Sequence, residues 1–249
     1  MPGVKLPAES PASLFNGFSK NTFKFLIDLE KNNNIKWFNS NRSSYDEYIV
    51  KPSRAFVNSI GQFFNHLNPS IRTEPKFNKT LMRISNDMRF SKANPYKNYF
   101  LIHFGRFKMD SEFYIYIDKK GIEYGVFLNN SEDDELFFNQ SLSSYRTEIV
   151  KTFKKYKLNN IFSLYSFKKD SELLSARFNA ENKFELLTDI KYILLQKSLL
   201  KKDKIIFSSE FLTETIKTFS RLYPLYCFAI SPQPLKLLNE FEDRMGVAL

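Results

Sequence analysis

The residue types best suited to chemistry are concentrated in one stretch, Leu81-Met-Arg-Ile-Ser-Asn-Asp-Met-Arg-Phe-Ser-Lys-Ala-Asn-Pro-Tyr-Lys97. If its first part is extended, Arg83, Ser85, Asp87, Arg89 and Ser91 project to one face. Met82, Ile84, Met88 and Phe90 then project to the other, with Asn86 the polar exception, because side chains alternate along a strand. Two guanidiniums flanking a carboxylate make a fork for a planar or tetrahedral anion. Asp87 would hold one arginine in place and the hydroxyls would complete the hydrogen bonds. Lys92, Tyr96 and Lys97 would close the rim around Pro95. The same alternation is also what a solvated sheet face displays, with Arg83 and Asp87 paired for little energy.

A second constellation is Asn32-Asn33-Asn34-Ile-Lys-Trp-Phe-Asn-Ser-Asn-Arg-Ser-Ser-Tyr45. Trp37 and Phe38 would anchor it in the core. Asn33, Asn41, Arg42 and Tyr45 would then reach the same pocket, or simply cap and bridge helices, which is the plainer reading.

Three function classes follow. The first is a binding module in which Arg83, Arg89, Lys92 and Lys97 hold a phosphate-bearing small molecule or a nucleic-acid backbone, with Ser91, Asn41 and Arg42 adding polar contacts and Tyr96, Tyr45 or Trp37 a stacking surface. The second is an enzyme on phosphoryl or acyl substrates, with Asp87 as base or metal ligand and the arginines stabilising developing charge. The third is a structural or partner-binding protein in which the Arg/Asp network locks helix to sheet. The donors favour the first.

Other chemistries lack their residues. His66 and His103 are far apart in sequence, with no neighbouring Cys or paired carboxylates, so no zinc site or Cys-His nucleophile is expected. His103, between Ile102 and Phe104, reads as a hydrogen-bonded structural residue. With seven glycines the chain has no phosphate loop, dinucleotide fingerprint or nucleophile elbow, and no cofactor is expected. The acidic run Glu132 to Glu135 could hold a hard cation, but the start of a helix explains it as well.

The whole chain, 249 residues with 27 Phe and 13 Tyr, has ample material for a core. Its net charge of +10 permits nucleic-acid binding, and a solvated basic surface accounts for it equally. No apolar run spans a bilayer, no leader pattern opens the sequence, and the single Cys227 sits among aromatics, so a cytoplasmic protein without membrane contact is expected.

The elements that must position these groups divide by period. Residues 1–17 read as a proline-bearing tail, and 18–249 as a single domain. Ser19 or Asn21 caps a first helix, and apolar steps of three or four from Tyr45 to Leu67 give a second, with Pro52 as a kink or a first-turn residue. Tyr99 to Phe107 is expected to be a strand, and residues 113–117 and 122–128 a β-hairpin. A short helix is expected from Asp133, a longer one over Leu142 to Tyr156, and a strand over Ile161 to Phe167. Tyr192 to Leu200 is left open between helix and strand. A helix from Ser208 or Ser209 is expected to end at Pro224, and a last one to run from Pro234 to Met245. Helices, then sheet, then helices is an α+β arrangement, its sheet mainly antiparallel with C-terminal helices packed on it.

These residues resemble a family, the bacterial and fungal family known as domain of unknown function 2461. The resemblance rests on Asn32-Asn33, Trp37-Phe38, Asn41-Arg42, Tyr45 and Pro52, then on Arg83-Ile84, Asp87, Arg89-Phe90-Ser91-Lys92 and Pro95-Tyr96-Lys97, and more weakly on Pro224-Leu225-Tyr226. It covers most of Phe18 to Phe228. Ala93-Asn94 stands where the family pattern has Asp-Lys-Thr, one residue more. The resemblance implies a fold and a site position, and no reaction.

Overall fold

The computed structural model describes residues 14–87, 94–168 and 170–245. Helix α1 (Lys20–Lys31) starts at Ser19, which forms a capping box with Thr22 and so satisfies two of the orphan N-terminal donors. Asn34 caps α2 (Ile35–Ser40), a short helix that the apolar spacing does not predict. Helix α3 (Arg42–Tyr45) runs through a π-helical turn (Asp46–Val50) into α4 (Lys51–Leu67). Pro52 is the second residue of α4, just past the π-helical turn, where Lys51 N–H reaches back to Asp46 O and the regular i→i−4 ladder is already interrupted.

Strands β1 (Phe100–Phe104), β2 (Glu112–Ile117) and β3 (Gly121–Asn129) follow as an antiparallel meander. Then come α5 (Phe138–Ser144), α6 (Arg146–Lys155), β4 (Ser163–Phe167), β5 (Ser171–Ser175), α7 (Ala180–Lys183), α8 (Glu185–Thr188) and β6 (Tyr192–Leu200). A 3-10 turn (Lys204–Phe207) leads to α9 (Glu210–Ile230) and α10 (Pro234–Met245). Among the described residues six strands form one sheet in the order β1-β2-β3-β6-β4-β5, every neighbouring pair antiparallel. The ambiguous segment is thus β6, and it lies between β3 and β4. At the outer edge of β1, Leu81 bridges Ile102, so residues 80–82 lengthen the sheet locally.

Register separates the two faces. Phe104, Phe113, Val126, Leu195 and Leu164 lie in one row across β1, β2, β3, β6 and β4, each 0–1% exposed. The helices pack on this face: Phe64 of α4 stacks on Phe104 at 4.6 Å, and Phe219 and Tyr226 of α9 lie 4.9 and 4.7 Å from Phe113. The adjacent row, His103, Tyr114, Gly125, Gln196 and Ser163, belongs to the opposite face.

Several boundaries differ from the sequence reading. Phe15, placed in the tail, is buried against Phe18, Phe56 and Phe211, and its N–H donates to Ser59 Oγ at 3.1 Å. Between the two phenylalanines Gly17 adopts φ +105°, and a Cβ there would lie 2.4 Å from the Phe207 backbone, so glycine is required. Residues 133–136 form a bridged turn rather than a helix, and the expected helix over 142–156 is two, broken at Tyr145. β1 stops at Phe104 rather than Phe107, and β5 was not anticipated. Helix α9 continues through Pro224 to Ile230. An interior proline costs about 3 kcal/mol, but Tyr223, Leu225, Tyr226, Cys227 and Phe228 are all fully buried and together offset several times that. No helix among the described residues is long and apolar enough to cross a membrane.

Candidate functional site

Residues 81–87 and 94–97 form two antiparallel legs at the sheet's β1 edge. Lys97 N–H donates to Ile84 O and Asn86 N–H to Pro95 O, both at 2.8 Å, and Ser85 bridges Tyr96. The Asn86 side chain adds a third link, donating to Asn94 O at 2.8 Å. The expected alternation holds over the described part: Ile84 is buried, while Arg83, Ser85 and Asp87 are exposed.

The helical constellation holds these legs. Asn33 treats Tyr96 as a strand would: its Nδ2 donates to Tyr96 O at 2.8 Å, and its Oδ1 accepts from Tyr96 N at 3.1 Å. The Tyr96 ring stacks on Phe38 with centroids 4.0 Å apart and planes at 17°. Trp37 leans on Phe25 at 5.7 Å, and Asn41 Nδ2 donates to Trp37 O at 2.9 Å within its own turn. Lys97 points its ammonium at the opposite leg, donating to Ser85 O at 2.7 Å and Arg83 O at 3.1 Å, and burial pulls its pKa down. Trp37, Asn41, Tyr96 and Lys97, predicted as ligand contacts, are therefore engaged internally. Arg42, Arg83 and Asp87 stay exposed. Arg89, Ser91 and Lys92 lie outside the described residues.

Residues 21–228 match the family described as conserved hypothetical protein (DUF2461). The chain belongs to this family. No curated protein matches it. The DUF2461 match runs from the second residue of α1 to Phe228 in α9, so it takes in both the Asn33 constellation and the legs that Asn33 clamps.

The DUF2461 sheet carries further polar groups, among them His103, which the sequence predicts to be a hydrogen-bonded structural residue. His103 Nδ1 is bonded to the Glu112 carboxylate on β2, so its partner is nine residues away. The signal was the hairpin register: pairing Phe104 with Phe113 brings Glu112 beside His103. The Tyr114 hydroxyl donates to Gln196 Oε1 on β6, and β3 presents Gly125 between them, leaving the phenol room to pass. Glu123 has its pKa raised by burial, against an opposing hydrogen bond from Gln196. This face has no Lys or Arg at its strand positions in β1, β2, β3, β4 or β6, so an anion gains nothing there. On the helix side a cleft of about 480 Å³ holds Lys197, which is already paired with Glu214 at 2.9 Å beside Thr218 and Tyr124.

Proposed function

We propose that this chain binds an anionic, phosphate-bearing ligand, either a small molecule or a nucleic-acid backbone, at the end of the Arg83–Lys97 segment. The observation that carries the reading is the closure of the segment's base by Asn86, Asn94 and Pro95. Arg89, Ser91 and Lys92 belong to the short stretch between those ends, and Arg83 is exposed on the leg beside it. Holding both ends lowers the entropy lost when several donors gather on one anion. Tyr96, Lys97, Asn41 and Trp37 then serve as support for the site.

The test is binding of labelled short RNA and DNA by anisotropy, and of a nucleotide panel by calorimetry, at about 50 and 200 mM salt. Arg83→Ala and Arg89→Ala are expected to lose about tenfold or more in affinity and to flatten the salt dependence, as befits charge-assisted contacts. Parent-like binding by both variants refutes the proposal.

The enzyme reading draws less support, because Asp87 is exposed and so is not shielded from solvent as a water-excluded base would be. The structural reading is favoured by the four predicted contacts spent internally. It takes over if no anion binds and Arg83→Ala lowers the cooperativity of melting.

A further inference from the structure

The sheet face turned away from the helices holds a carboxylate that lacks a counter-ion. Glu123 on β3 is half-buried, and its side-chain partner is Gln196. The Tyr114 hydroxyl donates to Gln196 Oε1, so the amide nitrogen of Gln196, a residue 1% exposed, is the group left to donate to Glu123. Among the described residues no Lys or Arg forms an ion pair with Glu123. Lys119 is spent on Glu30 at 2.7 Å, and Lys120 acts from the exposed β2–β3 turn, where Asp118 opposes it. Burial raises the Glu123 pKa, a cost that a glutamine would not carry, and groups held at such a cost gather at functional sites.

The surroundings suit one kind of guest. Register sets Leu101, Tyr116, Glu123 and Ser198 in one row across β1, β2, β3 and β6. Tyr116, directly opposite Glu123, is half-buried, and its ring lies 4.8 Å from that of Tyr99 with planes at 30°, which makes a broad aromatic wall. Such a wall attracts cations and covers alkyl groups. Leu101, also half-buried, ends the row at β1, two strand spacings or about 10 Å from Glu123. On the other side Ser198 is small and exposed, and β4 pairs with β6 only over residues 193–196, so no described strand flanks it. Along β3, Glu123 stands between Gly121 and Gly125, so its own strand adds no side chain on this face at either neighbour.

We propose that this row binds a small aliphatic amine, with its ammonium on the Glu123 carboxylate beside Tyr116 and its alkyl chain lying over Tyr116 toward Leu101. The absence of Lys and Arg from the strand positions of this face in β1, β2, β3, β4 and β6, in a chain of net charge +10, selects a cation over an anion. The apolar far end selects a monoamine over a diamine, and the span fits a chain of about six carbons. The site uses none of the donors of the Arg83–Lys97 segment, so neither reading depends on the other.

The experiment is calorimetric titration of the full chain at neutral pH with n-hexylamine hydrochloride, against 1-hexanol and putrescine, all at equal ionic strength set with NaCl. Hexylamine is expected to bind at one site per chain with Kd about 1 mM or below, several-fold tighter than either comparison compound. Glu123→Gln keeps an acceptor for Gln196 and is expected to lose about tenfold or more in affinity. Tyr116→Phe keeps the ring and should bind as the wild type does, whereas Tyr116→Leu should bind several-fold more weakly. No saturable binding by the wild type, equal or tighter binding of 1-hexanol or putrescine, or undiminished binding by Glu123→Gln overturns the proposal. If Glu123→Gln does not fold, the Tyr116 variants decide, and wild-type affinity in Tyr116→Leu overturns it in the same way.

Discussion

Replacing Asn33 by alanine tests how the helical part holds the Arg83–Lys97 segment. The side chain makes two hydrogen bonds to the backbone of Tyr96, at 2.8 and 3.1 Å, across 63 residues of sequence. Each is worth about 1 kcal/mol net, and losing one partner strands the other where it is shielded from water. Tyr96 is half-buried, so water recovers part of this, and the expected cost is about 2 kcal/mol. For a chain of this size that lowers Tm by about 4–8 °C. Tryptic cleavage within residues 83–97 should accelerate by up to about thirtyfold, the factor equivalent to 2 kcal/mol. Asn33→Asp keeps the acceptor for Tyr96 N–H but sets a carboxylate against Tyr96 O, so it should be no better than alanine. Asn34→Ala, which removes the cap on Trp37 N–H, should cost about 1 kcal/mol without exposing the segment to trypsin. An Asn33→Ala protein as stable as the wild type, or an Asn33→Asp protein restored to wild-type stability, refutes the clamp.

Two further predictions concern titratable groups. Burial raises the native pKa of Glu123, so the native state holds this proton more tightly than the unfolded chain. The stability it brings is present at low pH and lost as pH rises from the ordinary glutamate range through the raised native value. Urea unfolding of wild type and Glu123→Gln should therefore diverge in the variant's favour across that window and then run parallel, and a gap independent of pH would count against the assignment. Cys227 is fully buried, and burial pushes its thiol pKa up, which suppresses the reactive thiolate. Ellman's reagent should leave the native protein unlabelled at mildly alkaline pH and titrate one thiol per chain in denaturant, whereas rapid native labelling would show that the second half of α9 opens.

The α+β arrangement was legible because period carried it. Phe113, Ile115 and Ile117 alternate with Glu112, Tyr114 and Tyr116, and the strands they announce are the ones that form. Pro224 misled because local preference was weighed without the burial of Leu222 to Ile230 on both sides of it. β6 was ambiguous because its first half, Ile193 and Leu195, faces the core while Leu194 lies half-buried opposite, which blurs a period of two. Among site residues, the exposed Arg83 and Asp87 followed from alternation alone. The internal duties of Tyr96 and Lys97 did not, since Asn33 and Phe38 meet Tyr96 only through tertiary contact, and the Lys97 ammonium finds Ser85 O and Arg83 O only once the two legs pair.

The place of β6 in the sheet has a consequence for synthesis. Residues 121–129 are made some seventy positions before the strand that covers their flank, and residues 163–166 also wait for it. Until the ribosome has released 192–200, the meander and the β4–β5 hairpin are two separate half-sheets, each with an unsatisfied border. A nascent or truncated chain stopping short of that point should seek chaperones or its own copies, and one that ends at residue 200 has closed the sheet but still lacks α9, whose Phe219 and Tyr226 cover Phe113.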